Sequence, residues 1–379
     1  MDFKLSQEQT MLVDMVRKLA ERDFRNKASL WDEEEKFPWE NVKKMSEAGL
    51  MGLSIPEEYD GAGRGIMDVV LAVESIARVC LSTAGILGLH SGVCSRAITH
   101  FGSEELKKKY LPDMAEGKIL TAYAQTEPNA GSDVGSISTR AELKGDKFIV
   151  NGTKSFISNA HEAHIFITIL RYGTEKGTRG VGAIVIDRDT PGLSLGKKEK
   201  KLGFRGTSLS DVIFDNCSVP KENQLVGEGD FIKMLKAFNA ERCGNAALSL
   251  GVAQGALEEA IKYCKERSQF GRPISGFQGI QWMLADMAIK VDAARLLIYR
   301  AATNAEAGLP NRMETSMAKV FANEMAIEVA NMAVQLHGGY GYLKEYPVER
   351  MLRDARFPPL GGGTTQIQRI NIADEILKG

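Results

Sequence analysis

The sequence predicts an α+β protein in which helices come first, strands fill the middle and helices return. Apolar residues repeat at helical spacing over residues 1–120. From 121 to 230 short β-branched runs alternate with Gly, Asn and Asp turn signals, and from 231 to 379 long Ala/Leu/Met/Glu-rich stretches resume. The expected domains are therefore 1–120 (helical), 121–230 (β) and 231–379 (helical).

Ser6 with Gln9 forms a capping-box pattern ahead of Met11, Leu12, Met15, Val16 and Leu19, which share one helix face. Gly49, Gly52, Pro56 and the run Gly61–Gly65 interrupt the pattern before a second helical stretch through Glu74 and Ile76. Phe148–Val150, Ile165–Leu170 and Val181–Ile186 read as strands, and Gly227-Glu228-Gly229 closes that region. The C-terminal helices are separated by Arg267–Phe277, Gly308–Asn311 and His337–Pro347.

With 379 residues, 44% hydrophobic, the chain can bury a large core. A net charge of −1 gives no sign of a nucleic-acid partner. The five cysteines lack any C-x-x-C pair, which argues against a disulfide framework or zinc site and fits a reducing, cytoplasmic setting. The helical pattern begins close to Met1, so no signal or transit peptide is expected. The most apolar stretch, Leu81–Leu89, is too short for membrane insertion. His161 and His164 have no ligand set beside them, so no metal is expected. Lys197–Lys201 reads as a solvated charge run.

Four stretches stand out. Thr126–Asp133 is rich in small residues that let backbone N–H groups approach a phosphate, though alone it is more simply a polar turn. Lys154–Asn159 contains Phe156, Ile157 and Ser158, alone two core residues and a turn hydroxyl. Arg267–Ile274, followed by Gln278, offers a guanidinium fork suited to pyrophosphate, or an ordinary interhelical loop. Gln335–Tyr342, continued by Glu345, Arg350 and Asp354, reads alone as a helix C-cap and turn. No G-x-G-x-x-G fingerprint or P-loop occurs.

In this order and spacing the four stretches resemble the acyl-CoA dehydrogenase family. The resemblance implies a middle β-barrel-like domain, a C-terminal four-helix bundle and bound FAD. It places Tyr123, Thr126, Gly131, Ser132, Phe156, Ser158, Arg267, Phe270, Gln278, Gln335, Gly338, Gly339, Thr364 and Gln366 at the cofactor. Some of these serve the flavin of a neighbouring subunit in a homotetramer built from dimers. Ser132, Arg242, Gly361 and Gly362 fall at the acyl-CoA. Gln125 departs from the family's usual apolar residue, Phe156 from its frequent Trp and Ser158 from its frequent Thr.

The tail Leu360–Arg369 is similar to the family's aromatic-Glu-Gly-Thr-x-Gln-Ile-Gln-Arg, in which the Glu is the catalytic base, but Gly362 occupies that slot. Glu241-Arg242 resembles the relocated base of the branch that includes isovaleryl-CoA and long-chain enzymes. Alone, Glu241-Arg242 is more simply a solvated helix pair; the glycine at 362 reverses that preference. The resemblance thus implies FAD-dependent oxidation of an acyl-CoA to its 2-enoyl-CoA, with an electron-transferring flavoprotein as acceptor. Gly361, standing where Tyr is common, and Gly362 predict extra room for a branched or alicyclic acyl group. A straight-chain substrate and a non-oxidative acyl-CoA lyase are the alternatives.

Overall fold

The computed structural model describes residues 4–305 and 310–378; Gly308, one of the predicted interruptions, lies outside them. The helices α1 (Gln7–Leu19), α2 (Ala28–Glu33), α3 (Trp39–Glu47), α4 (Ile66–Ala77), α5 (Leu81–Leu89), α6 (Ser95–Phe101) and α7 (Glu104–Ala115) come first. The capping box forms as read: Gln9 N–H donates to Ser6 Oγ at 3.1 Å and Ser6 N–H to Gln9 Oε1 at 3.0 Å.

Strands β1 (Thr121–Ala124), β2 (Arg140–Lys144), β3 (Lys147–Ser158), β4 (Ile165–Tyr172), β5 (Val181–Asp187), β6 (Leu193–Leu195), β7 (Leu209–Pro220) and β8 (Gln224–Val226) build one sheet. Its order is β6-β7-β3-β2-β4-β5-β8, with β1 parallel to β4. The β3–β7 pairing slips between Lys154 and Ile157. Such a bulge re-aims a side chain, and here it turns Phe156, at φ 58°, outward to 65% exposure. Phe156 is therefore not a core residue, while Ile157 beside it is buried.

Helix α8 (Phe231–Glu266) is followed by a hairpin of β9 (Ser268–Gln269) and β10 (Arg272–Pro273). Then come α9 (Gln278–Thr303), α10 (Arg312–His337), α11 (Pro347–Asp354) and α12 (Thr365–Lys378). Among the described residues no helix is long and apolar enough to cross a membrane.

Alternation along β4 buries both sheet faces. Ile165, Ile167 and Ile169 join Leu111 of α7 on one side, while Phe166 and Leu170 join Val150 and Phe214 on the other. The start of α8 (Phe231, Met234) belongs to the first of these cores. Farther along, from Ala240 onward, α8 enters a helical core shared with α4, α9 and α10. Glu241 sits at that junction. α8 packs closely on the 90–94 turn there: a Cβ on Gly92 would sit in van der Waals contact, 3.5 Å from the Glu241 α-carbon.

The charge run at 197–201 is not simply solvated. Lys198 pairs with Glu162 at 3.1 Å. Lys201 Nζ donates to the carbonyls of Phe204 and Thr207 and to Thr207 Oγ1, and burial lowers its pKa to about 8. Folding the loop back onto its own carbonyls compensates for the lost water.

Candidate active site

Glu241 points across the molecule to the loop before α12. Gly362 has φ +64°, and a Cβ built there would fall 2.5 Å from Glu241 Oε2 and 2.7 Å from Oε1. The carboxylate thus stands where a side chain at 362 would begin. Its Oε2 is buried and has no hydrogen-bond partner among the described residues. Burial raises the Glu241 pKa, and the nearby charges of Lys319 and Arg242 offset this only in part. A desolvated carboxylate with an unpaired oxygen is suited to accepting a proton from something bound beside it.

The Gly361 and Gly362 positions do not leave the void expected from the sequence. A Cβ on Gly361 would meet the Phe357 ring at 3.0 Å, and the space beside Gly362 is taken by Glu241. Phe357 is itself held by stacking on Phe204, with ring centroids 4.5 Å apart. The absence of two side chains is compensated by one ring and one carboxylate.

Arg242, adjacent on α8, is buried. Its Nη1 donates to Asn239 Oδ1 at 2.6 Å, and Asn239 Nδ2 donates to the Pro310 carbonyl at 3.1 Å. The guanidinium therefore braces α8 against the segment entering α10, and burial lowers its pKa to about 10.

The middle sheet reaches the same place. Tyr123 on β1 packs its ring 5.2 Å from Phe238, one helical turn before Glu241, and burial raises its phenol pKa. Thr126 accepts from the Ser155 N–H at 2.7 Å. Beneath this contact, buried Lys154 pairs with buried Glu127 at 2.7 Å and also donates to the Gln125 carbonyl at 3.1 Å. Glu127 in turn accepts from Ser138 N–H, Ser138 Oγ and Thr139 N–H. Burial alone would raise the Glu127 pKa, but Lys154 and these donors hold it at about 2. This network joins the loop carrying Gly131 and Ser132, both exposed, to the bulge carrying Phe156 and Ser158.

Arg267, Gln335, Gly338 and Gly339 line a separate cleft of about 440 Å³ at the other end of α8. Gly338 has φ +59°, and a Cβ on either glycine would meet no atom within 4 Å. The Arg267 guanidinium lies 5.7 Å over the Tyr340 ring. Phe270 and Gly271 form the hairpin turn with φ 52° and 77°, the signature of a two-residue turn with both centres left-handed. Phe270 is 93% exposed there, its ring 6.0 Å from Phe277. Gln278 opens α9 and is exposed. Thr364 Oγ1 accepts from the Ile367 N–H at 3.2 Å as a cap of α12, beside exposed Gln366.

Models of the acyl-CoA dehydrogenase N-terminal, middle and C-terminal domains match residues 6–118, 122–217 and 231–377. The chain belongs to the acyl-CoA dehydrogenase family. It is 44% identical to the short-chain specific acyl-CoA dehydrogenase of Clostridium acetobutylicum over the whole of both chains. It is 43% identical to the caffeyl-CoA reductase–Etf complex subunit CarC of Acetobacterium woodii, covering 96% of this chain and 98% of that one. The butyryl-CoA dehydrogenase structure from Megasphaera elsdenii superposes with a TM-score of 0.96 at 34% identity, covering 100% of each chain. The protein is thus an oxidoreductase of CH–CH bonds with FAD as its cofactor.

The residues present fit that cofactor. The open glycine cradle at 338–339 and the exposed guanidinium of Arg267 suit a pyrophosphate, and Phe156 offers an exposed aromatic face on the β3 bulge. No group of three or more His, Cys, Asp or Glu able to hold a metal occurs among the described residues. Lys319 is one functional candidate that sequence reading missed. It is completely buried on α10, with Nζ donating to the carbonyls of Pro358, Gly361 and Gly363 at 3.0, 2.9 and 3.1 Å. A signal existed, since Ser316, Ala322, Asn323 and Ala326 place a lysine on an otherwise small and buried helix face.

Proposed function

We propose that the protein oxidises the Cα–Cβ bond of an acyl-CoA thioester to give the 2-enoyl-CoA, with Glu241 removing the α-proton. The observation that carries this reading is the carboxylate of Glu241 standing over Gly362, desolvated and with Oε2 unpaired. In the reading, the Gly362 N–H donates to the thioester oxygen and so disperses the charge that develops there. FAD, when bound, supplies the hydride acceptor facing Cβ. Ser132 and Arg242 hold the CoA side, and Tyr123, Thr126, Gly131, Phe156, Ser158, Thr364 and Gln366 surround the flavin.

Arg267, Phe270, Gln278, Gln335, Gly338 and Gly339 serve a second copy's cofactor. Arg267 is 26 positions beyond Glu241 along α8, about 39 Å at 1.5 Å per residue, too far for one cofactor to touch both ends of one chain. In this reading the protein is a homotetramer of paired dimers in the cytoplasm, each chain divided at about residues 120 and 230. An electron-transferring flavoprotein is the proposed redox partner, and the Etf-complex relative supports it.

For the acyl group, a compact straight chain has the stronger support: Phe357 fills the space beside Gly361, and the relatives include a short-chain enzyme. A branched or alicyclic group is the second reading, supported by the pairing of Glu241 with Gly362. Anaerobic addition of butyryl-, isovaleryl- and cyclohexanecarbonyl-CoA to the yellow holoprotein tests both. The productive thioester bleaches the flavin, with butyryl-CoA fastest. A non-oxidative lyase would release product with the flavin still oxidised, and a protein that cannot be loaded with FAD would end the proposal.

A further inference from the structure

We propose that Lys319 is a positioning residue of the reaction, holding the 358–363 loop in its working shape and keeping Glu241 ionisable in its dry site. The inference rests on the role proposed for Glu241. Three carbonyls, those of Pro358, Gly361 and Gly363, surround Lys319 Nζ at 3.0, 2.9 and 3.1 Å. An ammonium has three N–H donors and a neutral amine only two, so satisfying all three oxygens requires the charged form. Two of those carbonyls flank Gly362 on either side. The lysine therefore fixes the peptide planes around the residue that faces Glu241, including the N–H that the reaction uses.

The same charge acts on the base. The ionisable groups facing Glu241 are Lys319 from α10, Arg242 and Cys243 from α8, Tyr123 from β1 and Cys94 from the turn after α5. Only Lys319 and Arg242 are cationic. Arg242 spends one of its donors on Asn239, whereas Lys319 is bonded to three neutral carbonyls and pairs with no carboxylate among the described residues. Burial lowers the Lys319 pKa to about 8, with Glu241 pulling it back up. The two buried charges thus support one another across the loop.

The test uses holoprotein variants Lys319→Met and Lys319→Gln with butyryl-CoA and a ferricenium acceptor. Expected is a fall in kcat larger than any rise in KM, together with an upward shift of about one unit in the acid limb of kcat/KM. Lys319→Gln, which keeps two N–H donors, should lose less kcat than Lys319→Met but shift the limb similarly. A purely structural lysine would reduce active protein without moving the limb, and an unmoved limb in folded variants overturns the inference. Should both variants fail to fold, the Cε resonance of 13C-lysine-labelled protein decides instead. Its titration midpoint near 8 should fall in Glu241→Gln, and an unchanged midpoint overturns the coupling. Failure of the Glu241 reading itself shows separately, as near-normal turnover of Glu241→Gln.

Discussion

Glu241 and Gly362, 121 positions apart in the chain, compete for one volume: a Cβ on the glycine would enter within 2.5 Å of the glutamate's Oε2. Gly362 also holds φ +64°, a backbone state that L side chains rarely adopt. The two residues are thus mutually exclusive as side chains.

A double-mutant cycle reads this exclusion. Gly362→Ala should destabilise by about 1–3 kcal/mol through backbone strain and overlap, and by less in a Glu241→Gly background, where only the strain is left. Urea unfolding of the four proteins gives the coupling energy. Strict additivity would mean that the carboxylate simply swings away. The exchange Glu241→Gly with Gly362→Glu should regain part of the activity lost by Glu241→Gly alone, because a carboxylate is then returned to the shared volume from the other side.

Glu241→Gln should lower turnover by about 10²–10⁴-fold while FAD stays bound. Because burial raises the wild-type carboxyl pKa, and the base works only when ionised, kcat/KM should climb with pH through a value above the ordinary carboxylate range. An acid limb at or below the usual 4.5 would contradict the desolvated site.

The same shift has a stability consequence of opposite sign. A carboxyl whose pKa is raised on folding binds its proton more tightly in the native state, so it favours folding at low pH. That contribution is lost as pH rises from the unfolded value of 4.5 through the raised folded one. Glu241→Gln removes the ionisation altogether. Its Tm relative to wild type should therefore become more favourable on going from acid to neutral pH, whatever constant offset the amide adds. A Tm difference that stays flat with pH, or reverses, would show that the native carboxyl pKa is not raised.

The α-β-α order was legible because periodicity is a local property: the β-branched runs at 148–150, 165–170 and 181–186 all lie in strands. The mutual replacement of Glu241 and Gly362 was legible through family wording rather than physics, since nothing local links two such distant positions. Phe357 escaped because its effect on the Gly361 space depends on stacking with Phe204, 153 positions away. Lys319 escaped because composition marks lysine as a surface residue, and only the tertiary fold supplies the distant carbonyls that keep it buried; half-buried Lys201 escaped because its partners arise from a loop that folds back on carbonyls three and six positions on.

Lys154 and Glu127 form a buried ion pair that ties the 125–132 loop to the β3 bulge. Lys154→Met strands the Glu127 charge and should cost about 3–5 kcal/mol, with weaker retention of FAD on gel filtration. Adding Glu127→Leu should recover much of that stability, because no buried charge is left. Recovery should stay incomplete, since the Ser138 and Thr139 N–H groups lose their acceptor. Equal stability of Lys154→Met and wild type would mean that the pair contributes little.

A site assembled from two copies predicts complementation between variants that are inactive alone. Glu241→Gln removes the base from its own chain's site, and Arg267→Glu places an anion in the cleft that would grip the other copy's pyrophosphate. Because the two positions are about 39 Å apart along α8, each lesion falls on a different site of a pair. In a mixed assembly one site then receives both lesions and the other receives neither. Co-expressed and tandem-purified hetero-assemblies should therefore regain activity and bind FAD at the restored sites, while each parent stays inactive. Mixed assemblies no more active than the parents would place both lesions in one site, and the cofactor would have to be held by a single chain.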